Sequence, residues 1–91
     1  MTNHGAVTAR AGYRRFLSRL IRLRQAAGLS QSDLAARLGW SRALVSRVES
    51  GERRLDPVEF HRFCAAIGVD DLNMVKSLKA ELERSAATTN D

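Results

Sequence analysis

Apolar residues recur at helical spacing in five stretches, and no stretch shows the strict alternation of a half-buried strand. The first runs over about 12–27, where Tyr13, Phe16, Leu17, Leu20, Leu23 and Ala27 share one face and Gly28 supplies a stop. Ser30 is placed to cap a short second helix, 31–38, with Leu34, Ala35 and Leu38 inward and Gly39 ending it. Ser41 caps a third, about 42–50, closed by Gly51. In DPVE, Asp56 is the cap, Pro57 the first helical residue and Glu59 the reciprocal partner of a capping box; Phe60, Phe63, Cys64 and Ile67 then point inward until Gly68. The fifth helix, 71–84, carries Leu72, Val75, Leu78 and Leu82 in one stripe. Residues 1–11 and 85–91 are small or polar without periodicity and are read as a disordered arm and tail. The expectation is an all-α, five-helix domain over 12–84.

Composition narrows what such a domain does. The chain has 91 residues, one Cys and two His. Cys64 has no disulfide partner, and His4 and His61 give no metal-ligand spacing, so neither a metal nor a cofactor is expected. No leader-like segment and no run of about 18 apolar residues appears, which fits a soluble cytoplasmic protein that does not engage a membrane. Neither His has a nucleophile and a supporting acid in its sequence context, so no catalytic residues and no enzyme activity are expected. Cys64 reads as a core residue.

The net charge of +5 is unevenly distributed: residues 1–54 carry +8 and residues 55–91 carry −3. A polyanionic partner for the front half and a solvated arginine-rich face both agree with that asymmetry. The third helix bears on the choice. On a helical wheel Leu44, Val45 and Val48 fall on one side, and Arg42, Ala43, Ser46 and Arg47 on the other. Surface helices ordinarily mix acids with bases, and this outward face has none. Arginine at 42 and 47 can fork onto guanine O6 and N7, while Ala43 can offer only an apolar contact, for example to a thymine methyl. The start of the second helix, with Ser30 and Gln31 and no acid before Asp33, is a positive end suited to a phosphate.

The link between the second and third helices has a steric logic. Ala35 lets the third helix cross closely, Gly39 permits a left-handed turn, and Val45 and Val48 fill the core beneath. With LSQSDLAARLGWSRALVSRVESGERR, residues of about 16–69 resemble the Cro/repressor-type (XRE-like) helix-turn-helix domain of phage repressors and many small bacterial regulators. The resemblance implies that Ser41, Arg42, Ala43, Ser46 and Arg47 stand at positions that enter the major groove. It implies that Gln31 braces the first turn and touches a phosphate, and that Arg53 and Arg54 lie beside the DNA backbone. It pairs Arg24, a charge set inside the apolar stripe of the first helix, with Glu49 as a buried ion pair. Ser30 and Ser41 join Gln31, Arg53 and Arg54 as expected phosphate contacts. Two positions depart from the family pattern: Trp40 replaces a small aliphatic and Leu44 a Ser or Thr, so Leu44 is expected to cover core instead of reaching phosphate. Arg10, Arg14 and Arg15 are read as a solvated basic stretch in preference to a groove-reaching arm.

The expected function is a sequence-specific double-stranded DNA-binding transcription regulator, a homodimeric repressor on an inverted-repeat operator. Its dimer contact is expected through Leu72, Val75, Leu78 and Leu82, and no small-molecule ligand is expected. The alternative of another class is an antitoxin-like module that grips and neutralises a partner protein through its first or last helix. RNA is the weaker partner, because the basic face carries no aromatic stacking platform.

Overall fold

The computed structural model describes the backbone of residues 4–89 and the side chains of residues 9–85. Five helices follow in order: α1 (His4–Ala26), α2 (Gln31–Leu38), α3 (Arg42–Ser50), α4 (Pro57–Ile67) and α5 (Asp71–Thr89). No strand occurs among the described residues. The boundaries of the middle three helices follow their capping chemistry. Ser30, Ser41 and Asp56 are extended N-caps whose side chains accept from the amides of Asp33, Leu44 and Glu59. Gly39, at φ 73°, occupies the left-handed turn that lets the chain reverse between α2 and α3.

The core gathers Phe16, Leu17 and Leu20 of α1, Leu34, Ala35 and Leu38 of α2, Val45 and Val48 of α3, Phe63, Cys64 and Ile67 of α4, and Met74 of α5. Burial pushes the Cys64 thiol up to about 12, so it stays protonated inside the core. Two arginines clasp α2 to α4 at the C-terminal end of α2. Arg62 donates to the Leu38 carbonyl at 2.7 Å, and Arg37 donates to the Ala66 carbonyl at 2.9 Å, each placing a cation on the negative C-terminal end of the other helix. Trp40, the departure from the family pattern, lies against Phe63 with centroids 6.4 Å apart and packs on the core. Leu44 is half-buried.

The two end helices differ from the sequence reading. α1 begins at His4 and α5 continues to Thr89, although the sequence pattern predicts a disordered arm over 1–11 and tail over 85–91; residues 1–3 and 90–91 lie outside the described residues. α1 and α5 run antiparallel and approach closely where Gly12 and Arg15 meet Glu81, Leu82 and Ser85. Gly12 is the reason they can. A Cβ there would stand 3.0 Å from the Glu81 carbonyl oxygen and 3.1 Å from both Leu82 Cδ2 and Ser85 Oγ. Arg15 crosses beside it, donating from Nε to Glu81 Oε1 at 2.7 Å and from Nη2 to the Ser85 hydroxyl. A helical Gly normally costs about 1 kcal/mol against Ala, so its presence here trades propensity for closeness. Gly12→Leu should destabilise the protein by about 1–3 kcal/mol through overpacking, whereas Gly12→Ala, gaining propensity and meeting a tight contact, should change stability far less. Denaturant melts of the two variants check this.

The stripe on α5 also needs correction. Its inward face is built on Met74, which is 3% exposed, with Leu78 packed on the core and Leu82 half-buried against α1. Leu72 and Val75 face outward, at 68% and 48% exposed. The four residues assigned to a dimer contact therefore divide between two faces. Spacings of three and four along a helix admit two neighbouring stripes, and the packing of Met74 on the core selects the one it shares with Leu78 and Leu82, leaving Leu72 and Val75 outside it.

Candidate nucleic-acid interface

The turn from α2 to α3 sets the presentation of α3. The Trp40 amide donates to the Ala35 carbonyl at 2.9 Å, and the Gly39 amide reaches the carbonyls of Ala35 and Ala36, so the turn is closed by backbone alone. Ala35, 3% exposed, allows the close approach, and Val45 and Val48 are fully buried beneath it. With those two valines and Glu49 inside, Arg42, Ala43 and Arg47 are exposed and Ser46 is half-buried. All four expected base contacts thus share one surface. The only acid of α3 is turned inward, and neither the Arg42 nor the Arg47 guanidinium has a hydrogen-bond or ion-pair partner among the described residues.

Beneath this surface lies one polar network. Arg24 Nε donates to Glu49 Oε2 at 2.6 Å and Nη2 to Glu49 Oε1 at 3.0 Å, while Nη1 donates to the Leu29 carbonyl at 2.8 Å. Gln31 Nε2 donates to the same Glu49 Oε1 at 3.0 Å. Arg24 and Glu49 are each 7% exposed. The expected ion pair is present, and Gln31 is a brace as the resemblance implied. What the sequence did not signal is the Leu29 carbonyl, through which the network also holds the α1–α2 link. A single carboxylate thereby fixes α1, the start of α2 and α3 relative to one another.

The helix starts differ in charge. At α2, Asp33 returns the Ser30 bond, accepting from the Ser30 amide at 2.9 Å, and this backbone bond holds its carboxyl below the usual range. The Asp33 carboxylate therefore folds back onto the end whose amides are expected to face a phosphate, and the Ser30 oxygen is already engaged by the Asp33 amide. The amides of Gln31 and Ser32 keep no acceptor among the described residues. At α3 the first turn has no acid; Ser41 Oγ accepts from the Leu44 amide at 3.1 Å, and the amides of Arg42 and Ala43 remain open. The α3 start is thus the more positive of the two.

The α3–α4 turn separates the two arginines that the sequence grouped together. Arg53 forks onto Glu59 at 2.8 and 3.1 Å and donates to the Arg54 carbonyl at 2.9 Å, so its guanidinium braces the turn. Arg54 instead lies over the Tyr13 ring, 4.8 Å from its centroid, with its guanidinium nitrogens uncommitted. Arg53, bracing Glu59, is the less available of the pair to a phosphate. Glu59 also accepts from the Asp56 amide. Its carboxyl is lowered from 4.5 to about 2, first by the Arg53 guanidinium and then by that amide. A carboxylate with a depressed folded-state pKa lends stability that is complete above its unfolded value and vanishes as pH falls through the folded one. The stability difference between the protein and Glu59→Gln should therefore shrink as pH drops from about 4.5 to about 2, which melts across that window measure.

Among the described residues no group of His, Cys, Asp and Glu could hold a metal ion, and no helix is long and apolar enough to cross a membrane. The family described as a helix-turn-helix domain matches residues 15–75. Among solved structures, an XRE-family like protein from Pseudomonas syringae pv. tomato str. DC3000 is similar over 87% of this chain and 96% of its own, with a TM-score of 0.80 and 42% sequence identity. No curated protein matches. With a braced α2–turn–α3 unit, a match over most of its length and that identity, the chain belongs to the XRE-like helix-turn-helix family of DNA-binding regulators.

Proposed function

We propose that the protein is a homodimeric repressor that reads an inverted-repeat operator with α3 in the major groove. The observation that carries the reading is the acid-free outward face of α3, two unpaired arginines beside a helix start with open amides. Arg42 and Arg47 read base edges, with Ala43 and Ser46 between them; Ser41, Gln31, Ser30 and Arg54 hold the flanking phosphates. Arg53 supports the phosphate contacts by fixing the turn that carries Arg54. Repression follows by occluding a promoter, with occupancy set by protein concentration.

The dimer is supported by exposed aliphatic residues on α4 and α5. Val75 lines an apolar cleft with Leu55, Pro57 and Phe60, and Leu72, one turn before it, and Val58, next to Pro57 in the chain, are each 68% exposed. A second copy covering this edge about a twofold axis would set two α3 helices on one side of a duplex, about 34 Å or 10 base pairs apart. Selection of bound sites from random duplexes tests the reading: enrichment of an inverted repeat with that half-site spacing is expected, and recovery of duplexes with no shared sequence would overturn it.

A further inference from the structure

We infer that Arg10, Arg14 and Arg54 form a phosphate-binding cleft at the far end of α3. The three arginines line a small cleft of about 130 Å³ together with Tyr13, Ser50 and Gly51, and no carboxylate is among the lining residues. Arg10 and Arg14 stand one turn apart on α1, where like charges repel by a few tenths of a kcal/mol unless something bridges them. Neither has a hydrogen-bond or ion-pair partner among the described residues. The neighbouring basic side chains behave otherwise: Arg15 is tied to Glu81, Arg24 to Glu49 and Arg53 to Glu59. Arg10, Arg14 and Arg54, by contrast, line the cleft with no acid paired to any of them. Arg54 is already oriented by the Tyr13 ring, which lowers the cost of ordering it around a ligand.

The ligand chemistry is that of a phosphate group, whose oxygens accept forked bonds from several guanidiniums at once. Ser50 places the cleft at the end of α3, since it follows Ser46 and Arg47 by one turn on the same helix and is exposed. A DNA backbone phosphate leaving the groove is therefore the source, an assignment that rests on the reading of α3 above; the site itself does not depend on it. The helical extension of α1 back to His4 brings in Arg10, one turn before Arg14, and the two together lengthen the footprint on the backbone.

Arg10→Gln/Arg14→Gln tests the cleft, with circular dichroism to verify that these exposed, unpaired positions leave the fold intact. Binding is measured across salt concentrations on a selected and a scrambled duplex. In parallel, inorganic phosphate is titrated against the labelled protein while the Gly51 and Arg54 amides are followed by NMR. The variant should bind both duplexes roughly tenfold more weakly or worse, with the salt slope shallower by about one to two. Loss on both duplexes without a saturable phosphate response assigns the DNA backbone. A saturable response that the variant abolishes, with DNA binding unchanged, keeps the cleft and assigns a free phosphate ester. Unchanged binding and no response overturn the proposal. Should the unaltered protein bind no duplex, the reading of α3 fails separately, and the phosphate titration still decides the cleft.

Discussion

Arg24→Met should lose about 3–5 kcal/mol of folding stability, because it leaves Glu49 as an uncompensated charge inside the protein. That is a large part of the about 5–15 kcal/mol that holds a domain together. The Leu29 carbonyl loses its donor at the same time, and only Gln31 remains on the Glu49 carboxylate. Glu49→Leu should be comparably damaging, since it strands the Arg24 guanidinium at 7% exposure. The double variant Arg24→Met/Glu49→Leu should cost less than either single change, as no buried charge is left. Denaturant melts of the three proteins decide the point, and small, additive losses would show that the pair contributes little. The double variant has a second use. If the network's task is to hold α3 against α1 and α2, it should fold yet bind DNA more weakly, because Gln31 has lost the oxygen that braces it.

Leu72→Glu/Val75→Glu should give a folded monomer whose DNA affinity is about 10²–10⁴-fold lower. The size of that loss is the avidity expected when two half-site contacts no longer belong to one particle. Folding should survive because both positions face outward, while Met74 and Leu78 keep α5 on the core. Leu78→Glu behaves differently: the change puts a charge against the core and should unfold the protein instead of separating subunits. Sedimentation with circular dichroism distinguishes the two variants. A Leu72→Glu/Val75→Glu protein that is still dimeric would place the contact elsewhere.

The middle of the chain was legible from sequence because its signals are local. Caps at Ser30, Ser41 and Asp56 and the turn at Gly39 are each fixed by the chemistry of a few neighbouring atoms, and α2, α3 and α4 lie where those signals put them. The opposed faces of α3 were legible for the same reason, since a nine-residue helix with two buried valines has one way to lie. The ends were not. They carry no capping or periodic signal of that kind, and Gly12, where α1 approaches α5 closely, reads in isolation as a helix breaker. Arg53 and Arg54 look alike in sequence, yet one meets a capping-box Glu six residues on and the other an aromatic ring 41 positions back in the chain. The partner of Arg24 was accessible only through the family resemblance, because a contact across 25 positions leaves no periodic trace.

Base reading by α3 is tested most directly by Arg47→Ala on a selected operator and on its scrambled version. Binding isotherms at several salt concentrations should show a loss of about 1–3 kcal/mol on the operator, little change on the scrambled duplex, and relaxed preference at one base position. An Arg47→Ala protein that weakens on both duplexes equally, with its preference intact, would make Arg47 a phosphate ligand and contradict the account.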